Sequence, residues 1–131
     1  MSTKILVVDD ESYVRDLLER VLTRKGHTVL AASSGEEALE ILSATRYDLV
    51  LTDVVMPGMD GFEVLRRVKA LHPGVKVIVL TGYARKQSIS DFLLYGADEY
   101  LSKPFQVQNL LDAVDRVVGG GTEKVASSQA P

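Results

Sequence analysis

The chain has 131 residues, 46% of them hydrophobic and 25% charged, which suits one ordinary globular domain around a single core. Its formal net charge of -3 excludes a broad positive field for nucleic-acid phosphate or anionic lipid, and no Lys/Arg run supplies a local one. Cysteine is absent, which excludes a disulfide framework, a thiolate metal site and a cysteine nucleophile.

The first apolar run, Ile5-Leu6-Val7-Val8, is too short for a signal-peptide core and meets acids at once. No later stretch approaches a membrane span, so a soluble cytoplasmic chain without membrane insertion is the default. Lys4–Val8 reads as a strand, and the helix after it places Val14, Leu17, Leu18, Val21 and Leu22 at helical spacing before a stop at Gly26. A second strand, Thr28–Ala32, precedes a helix opened by Ser34 and Glu37, a capping-box pair in which each side chain can satisfy the other's backbone amide. Strand Leu49–Thr52 follows, then a turn through Met56-Pro57-Gly58-Met59-Asp60-Gly61 and a helix from Gly61 to His72. Strand Lys76–Leu80, an irregular helix over Arg85–Tyr95, strand Glu99–Leu101 and a helix over Val107–Val118 complete the series. Strands of Val, Ile and Leu alternating with helices imply an α/β domain with a parallel sheet covered on both faces, since parallel neighbours need crossover connections. Periodicity stops at Gly119, so residues 1–118 are expected to form the domain and 119–131 a flexible tail or the start of a linker.

Open α/β sheets bind ligands at the carboxyl ends of their strands. Asp9-Asp10, Asp53, Thr81 and Lys103 all fall there, bringing three carboxylates, a hydroxyl and an ammonium to one edge. Two carboxylates about 5 Å apart at an effective dielectric near 20 repel by roughly 3 kcal/mol, and a cation relieves that repulsion. Hard oxygen donors in an incomplete cage suit Mg²⁺, with Mn²⁺ a substitute. Asp53 would then be a nucleophile toward phosphorus, forming a hydrolysable acyl phosphate, with Lys103 balancing an oxygen of the incoming group. Singly, each residue has a plainer explanation: Asp9-Asp10 with Glu11 and Ser12 as turn and cap chemistry, Thr81 as a strand-end hydroxyl, Lys103 as a solvated charge. Their joint placement favours chemistry. His27 and His72 are expected at the surface, and Arg66, Arg67 and Lys69 on a solvated helix face.

Asp9-Asp10, Asp53 within Asp53-Val54-Val55-Met56-Pro57-Gly58-Met59-Asp60-Gly61, Thr81-Gly82 and Lys103-Pro104-Phe105, in that order, resemble the signature of the response-regulator receiver family from about Lys4 to Val118. The resemblance implies a flavodoxin-like, CheY-like sheet of five strands in the order 2-1-3-4-5 flanked by five helices. It implies Asp53 as phosphoacceptor, Asp10 as a direct metal ligand, Asp9 acting through water and the Val55 carbonyl as a further ligand. Thr81 would hydrogen-bond the phosphoryl group, Lys103 would pair with it, and Tyr100 would change rotamer with Thr81. The Lys103–Pro104 peptide is expected to be cis. The implied donor is a histidine kinase or phosphotransfer protein, and the implied readout a downstream effector meeting a surface of the fourth helix, fifth strand and fifth helix; dimerisation on activation stays open.

Val55 and Tyr83 lie where receivers vary, and neither offers a carboxamide or carboxylate to orient hydrolytic water, so a long phosphoryl lifetime is expected. Such a chain is a switch promoting its own phosphorylation and dephosphorylation rather than an enzyme acting on other substrates. A magnesium-dependent aspartyl phosphatase of the haloacid-dehalogenase type would want a second Asp at position 55, where Val stands. No Gly-x-Gly-x-x-Gly or Walker loop follows the first strand, which disfavours a nucleotide-binding module. A phosphorylation-independent interaction module remains the alternative, although such modules usually lack site residues that are all present here.

Overall fold

The computed structural model describes residues 3–53, 61–82 and 91–120. Strands β1 (Lys4–Val8), β2 (Thr28–Ala32), β3 (Leu49–Asp53), β4 (Lys76–Thr81) and β5 (Glu99–Ser102) form one parallel sheet in the order β2-β1-β3-β4-β5. They alternate with α1 (Ser12–Arg24), α2 (Gly35–Ala44), α3 (Gly61–Leu71), α4 (described over residues 91–94) and α5 (Val107–Val114). β3, β4 and β5 each run one residue further than their apolar pattern predicts. Asp53 and Thr81 therefore belong to the ladder, paired in register with Leu80 and Ser102.

Alternation along each strand divides the core in two. Ile5, Val7, Leu49, Leu51, Ile78 and Leu80 pack with Leu18 and Leu22 of α1 and Leu110 and Val114 of α5. Leu6, Val8, Val50, Val77 and Val79 face the other way, against Leu42 of α2, Leu65 and Val68 of α3, and Phe92 of α4. Burying one such Leu or Ile contributes about 2 kcal/mol relative to leaving it exposed. The two layers bury both faces of the sheet.

Carboxylates fasten the opposite edge. Asp48, just before β3, accepts the Lys4 N–H at 2.8 Å, and Asp98, just before β5, accepts the Val77 N–H at 2.8 Å. Lys69 Nζ donates to Asp98 at 3.2 Å and to the Val75 carbonyl at 2.7 Å, so this lysine ties α3 to the sheet instead of lying on a solvated face. Arg66 and Arg67 do lie on such a face, paired with Glu63. Asp98→Ala is expected to cost about 1.5 kcal/mol, since it removes a charged acceptor from a strand amide. Urea denaturation measures this, and an unchanged midpoint would mean that water replaces the carboxylate.

Other departures from expectation have local causes. Ser34 caps α2 by accepting the Glu37 N–H at 3.0 Å, but the Glu37 carboxylate reaches the Ser33 N–H and hydroxyl, at 2.8 and 3.0 Å, rather than the Ser34 amide. Both histidines are partly buried rather than at the surface. The His72 Nε2 lies 2.7 Å from the Leu42 carbonyl, and the buried His27 Nδ1 has no partner among the described residues. α3 ends at Leu71, although the His72 N–H still donates to the Val68 carbonyl at 3.0 Å. The last helix continues past Val118 as a π-helical turn, Asp115–Gly120, whose wider winding keeps Val117 and Val118 against the α1/α5 core layer. The Pro57 turn, residues 85–90 of the fourth helix, Val55, Tyr83 and the tail beyond 120 lie outside the described residues. Among the described residues no helix is long and apolar enough to cross a membrane.

Candidate functional site

The sheet delivers each predicted side chain to its carboxyl edge. β1 stops at Val8, whose register partner is Thr52, so the next residues, Asp9 and Asp53, emerge side by side. Asp9 is fully buried, Asp53 nearly so and Asp10 exposed. One carboxylate oxygen from each of the three lies within 4.8 Å of the others. β5 ends at Ser102, and the next residue, Lys103, points its ammonium into the group. Its Nζ donates to Asp9 Oδ2 at 2.7 Å and to Asp53 Oδ2 at 3.0 Å, with Glu11 Oε1 at 3.6 Å. The Lys103 N–H donates to the Thr81 carbonyl at 2.8 Å, and the Lys103–Pro104 peptide is cis, as expected.

Asp9 uses both oxygens: Oδ2 meets Lys103 and Oδ1 accepts the Glu11 N–H at 2.9 Å. Burial pushes its carboxyl above the ordinary range, helped by Asp53 and opposed by the Lys103 and Glu11 hydrogen bonds. Burial works against the Lys103 ammonium too, but the bonds and attraction from Asp9 and Asp53 outweigh it and raise its pKa. Lys103 is therefore a cation throughout the neutral range.

The oxygen donors fit a hard divalent cation, because among the described residues three carboxylates exceed the compensation one ammonium supplies. Asp10 has no side-chain hydrogen bond among the described residues, and Asp9 can contribute only by sharing an oxygen already in use or through water. Val55, expected to add a carbonyl, lies outside the described residues. Thr81 is buried at the end of β4, and Tyr100, opposite Val79 on β5, is half-buried against the core layer of α2, α3 and α4. A groove of about 380 Å³ beside Lys103 is lined by Tyr13, Leu17, Pro104 and Phe105 among others.

A family model described as the response regulator receiver domain matches residues 5–115. The chain belongs to this family. Such receivers take part in two-component phosphorelays and act as switches rather than conventional enzymes. The receiver is 39% identical over 116 residues to the sporulation initiation phosphotransferase F of Bacillus subtilis, covering 88% of this chain and 94% of that protein. It is 36% identical over 125 residues to the DNA-binding transcriptional regulator NtrC of Klebsiella pneumoniae, covering 95% of this chain but 27% of that one. The chain thus spans nearly all of one relative and about a quarter of another. Among solved structures, the chemotaxis protein CheY4 of Vibrio cholerae superposes with a TM-score of 0.84 at 31% identity, covering 89% of this chain and 99% of that one. A CheX-CheY complex of Borrelia burgdorferi with BeF3 and Mg²⁺ gives 0.83 at 28% identity, covering 86% and 87%.

One contact at this edge lies outside the motif residues. Arg15, on α1, donates from Nη1 to the Asp9 carbonyl at 2.7 Å. In the sequence it sits among the polar positions of an amphipathic helix, and only the place of the α1 N-terminus beside the acids hints at more.

Proposed function

We propose that the receiver, residues 1–118 with 119–131 as tail or linker, accepts a phosphoryl group on Asp53 from a phosphohistidine of a sensor kinase or phosphotransfer protein. An Asp53 carboxylate oxygen forms a bond to phosphorus as the phosphorus–nitrogen bond of the donor breaks, leaving the imidazole with the electron pair. The observation that carries this reading is the convergence of Asp9, Asp10 and Asp53 from two strand ends, with Lys103 from a third hydrogen-bonded to Asp9 and Asp53, into one group that is anionic among the described residues. Asp10 and Asp53, the Val55 carbonyl, and Asp9 through water would hold Mg²⁺ or Mn²⁺, which supplies neutralisation of phosphoryl oxygens. Lys103 would leave Asp9 or Asp53 in part to pair with a phosphoryl oxygen. The groove beside it gives a donor side chain an approach.

In this reading Thr81 turns toward the phosphoryl group and Tyr100 follows, biasing the surface of α4, β5 and α5. That surface carries Leu94, 82% exposed, and the Arg116–Glu99 ion pair between the end of α5 and β5. A downstream effector protein or domain, or a second activated copy, would read it, and the setting would be cytoplasmic.

Intact-mass measurement after incubation with a small acyl phosphate tests the proposal. A single phosphoryl addition that requires Mg²⁺ and is removed by EDTA pretreatment is expected; no addition in saturating Mg²⁺ would overturn it. Neither Val55 nor Tyr83 offers a carboxamide or carboxylate to orient attacking water, so the phosphoryl bond should be long-lived within the family. Val55→Asn and Tyr83→Glu are expected to hasten its loss several-fold in a time course of the modified mass, and no acceleration in either would remove that part of the reading.

A further inference from the structure

We propose that Arg15 is a positioning residue for the cation end of the site, acting as a tether on the Asp9 carbonyl rather than through its charge. The proposal rests on reading Asp9, Asp10 and Asp53 as a cation site. Asp10 is exposed and has no side-chain hydrogen bond among the described residues, so the backbone, which sets the direction of its Cα–Cβ bond, is what positions it toward the other two acids. The peptide joining Asp9 to Asp10 sets that direction, and its carbonyl is the group that Arg15 Nη1 holds at 2.7 Å.

β1 has already ended at Val8, so this peptide has only part of the ladder to rely on. The Asp9 N–H still donates to the Ala32 carbonyl at 3.2 Å, and the Glu11 N–H closes the turn on Asp9 Oδ1 at 2.9 Å. Neither bond fixes the Asp9 carbonyl. Arg15 is half-buried and anchored in the second turn of α1, whose inner residues Val14 and Leu18 are buried, so its base is rigid. A charge-assisted bond from such a base holds the peptide plane against rotation. The guanidinium also attracts Glu37, whose carboxyl is held low chiefly by the Ser33 amide and hydroxyl. Arg15 thus joins the turn at the end of β1 to the one that opens α2.

Charge and geometry predict opposite signs. A cation beside an acidic pocket opposes binding of a second cation, so losing its charge alone would tighten Mg²⁺ binding. Loss of a tether misplaces Asp10 and weakens it. Outer partners that orient metal ligands typically change affinity by about tenfold or more.

The experiment titrates Mg²⁺ into the metal-free full chain by calorimetry, with circular dichroism to establish folding. Arg15→Ala is expected to bind Mg²⁺ about tenfold more weakly, while Arg15→Lys recovers most of the loss because one donor suffices for this single contact. Phosphoryl uptake in Arg15→Ala should return close to the parental rate at saturating Mg²⁺. Arg15→Met, which preserves the stem's packing without a donor, replaces the alanine variant if that does not fold. Unchanged or tighter binding in a folded variant without a donor overturns the tether. A parent chain that binds no Mg²⁺, or binds it equally well as Asp10→Asn, overturns the cation site itself and the tether with it.

Discussion

Asp53→Asn is expected to acquire no detectable phosphoryl group under conditions that modify the parent chain fully, and to unfold at a higher temperature. The amide keeps the size of the side chain and an oxygen for Lys103, but its nitrogen lone pair is delocalised and its oxygen uncharged, so no good nucleophile remains. Neither neighbour substitutes for it. Asp9 is fully buried with both oxygens engaged, and Asp10 is exposed to water.

The stability gain follows from counting charges. Among the described residues Asp53 meets one ammonium, that of Lys103 at 3.0 Å, and two carboxylates whose oxygens lie within 4.8 Å. Attraction and one repulsion roughly cancel; the other repulsion, screened because Asp10 is exposed, leaves about 1 kcal/mol to be recovered. For a chain of this size that is roughly 4 °C in the unfolding midpoint. Thermal melts in EDTA together with intact mass test both halves. A modified Asp53→Asn chain would remove Asp53 as acceptor, and a lowered midpoint would mean that the Lys103 contact dominates the pocket. Function here is held at some cost to stability, as expected of a site assembled from like charges.

Much of this architecture is written locally. Ile5-Leu6-Val7-Val8 and Lys76–Leu80 read as strands because both sheet faces are covered, and the same alternation then sorts Ile5 from Leu6 into opposite layers. The site is legible for a related reason: a parallel sheet puts every strand's carboxyl end on one edge, so Asp9, Asp53, Thr81 and Lys103 meet once the strands are known. What escapes the sequence depends on reach. Lys69 looks like any helix-surface lysine, and only the tertiary position of Asp98 and the Val75 carbonyl makes it a tie. Glu37 satisfies the capping-box pattern yet turns to Ser33, whose amide and hydroxyl together outbid one amide. Arg15 binds a carbonyl, a group every residue carries, so no residue pattern marks the contact. The added strand residues Asp53, Thr81 and Ser102 are polar, and periodicity blind to pairing ends the strands before them.

Lys103→Met should lower stability by about 3 kcal/mol at neutral pH, the scale of removing one partner from a buried charge group. Methionine fills a similar volume, so the loss belongs to charge. The side chain of Asp9 is 0% exposed and that of Lys103 17% exposed, so water replaces the ammonium poorly. Without it, the Asp9 carboxylate keeps the Glu11 N–H as its only hydrogen-bond donor among the described residues, while Asp53 still repels it. The pH dependence has a definite sign. Burial already raises the Asp9 pKa above its unfolded value, and deleting Lys103 raises it further. The folded chain then binds the proton more tightly than the unfolded chain, so stability falls as pH rises through the interval between the two values and recovers as pH falls. In the parent chain, by contrast, the raised Lys103 pKa contributes stability that is fully present below the lysine's unfolded value and is lost only in strong alkali. Urea denaturation of both chains in EDTA, near pH 7.5 and again near pH 5, should therefore show the deficit of Lys103→Met shrinking on acidification. An equal deficit at both values would assign the loss to packing around Pro104 and Phe105 and leave Asp9 indifferent to its partner.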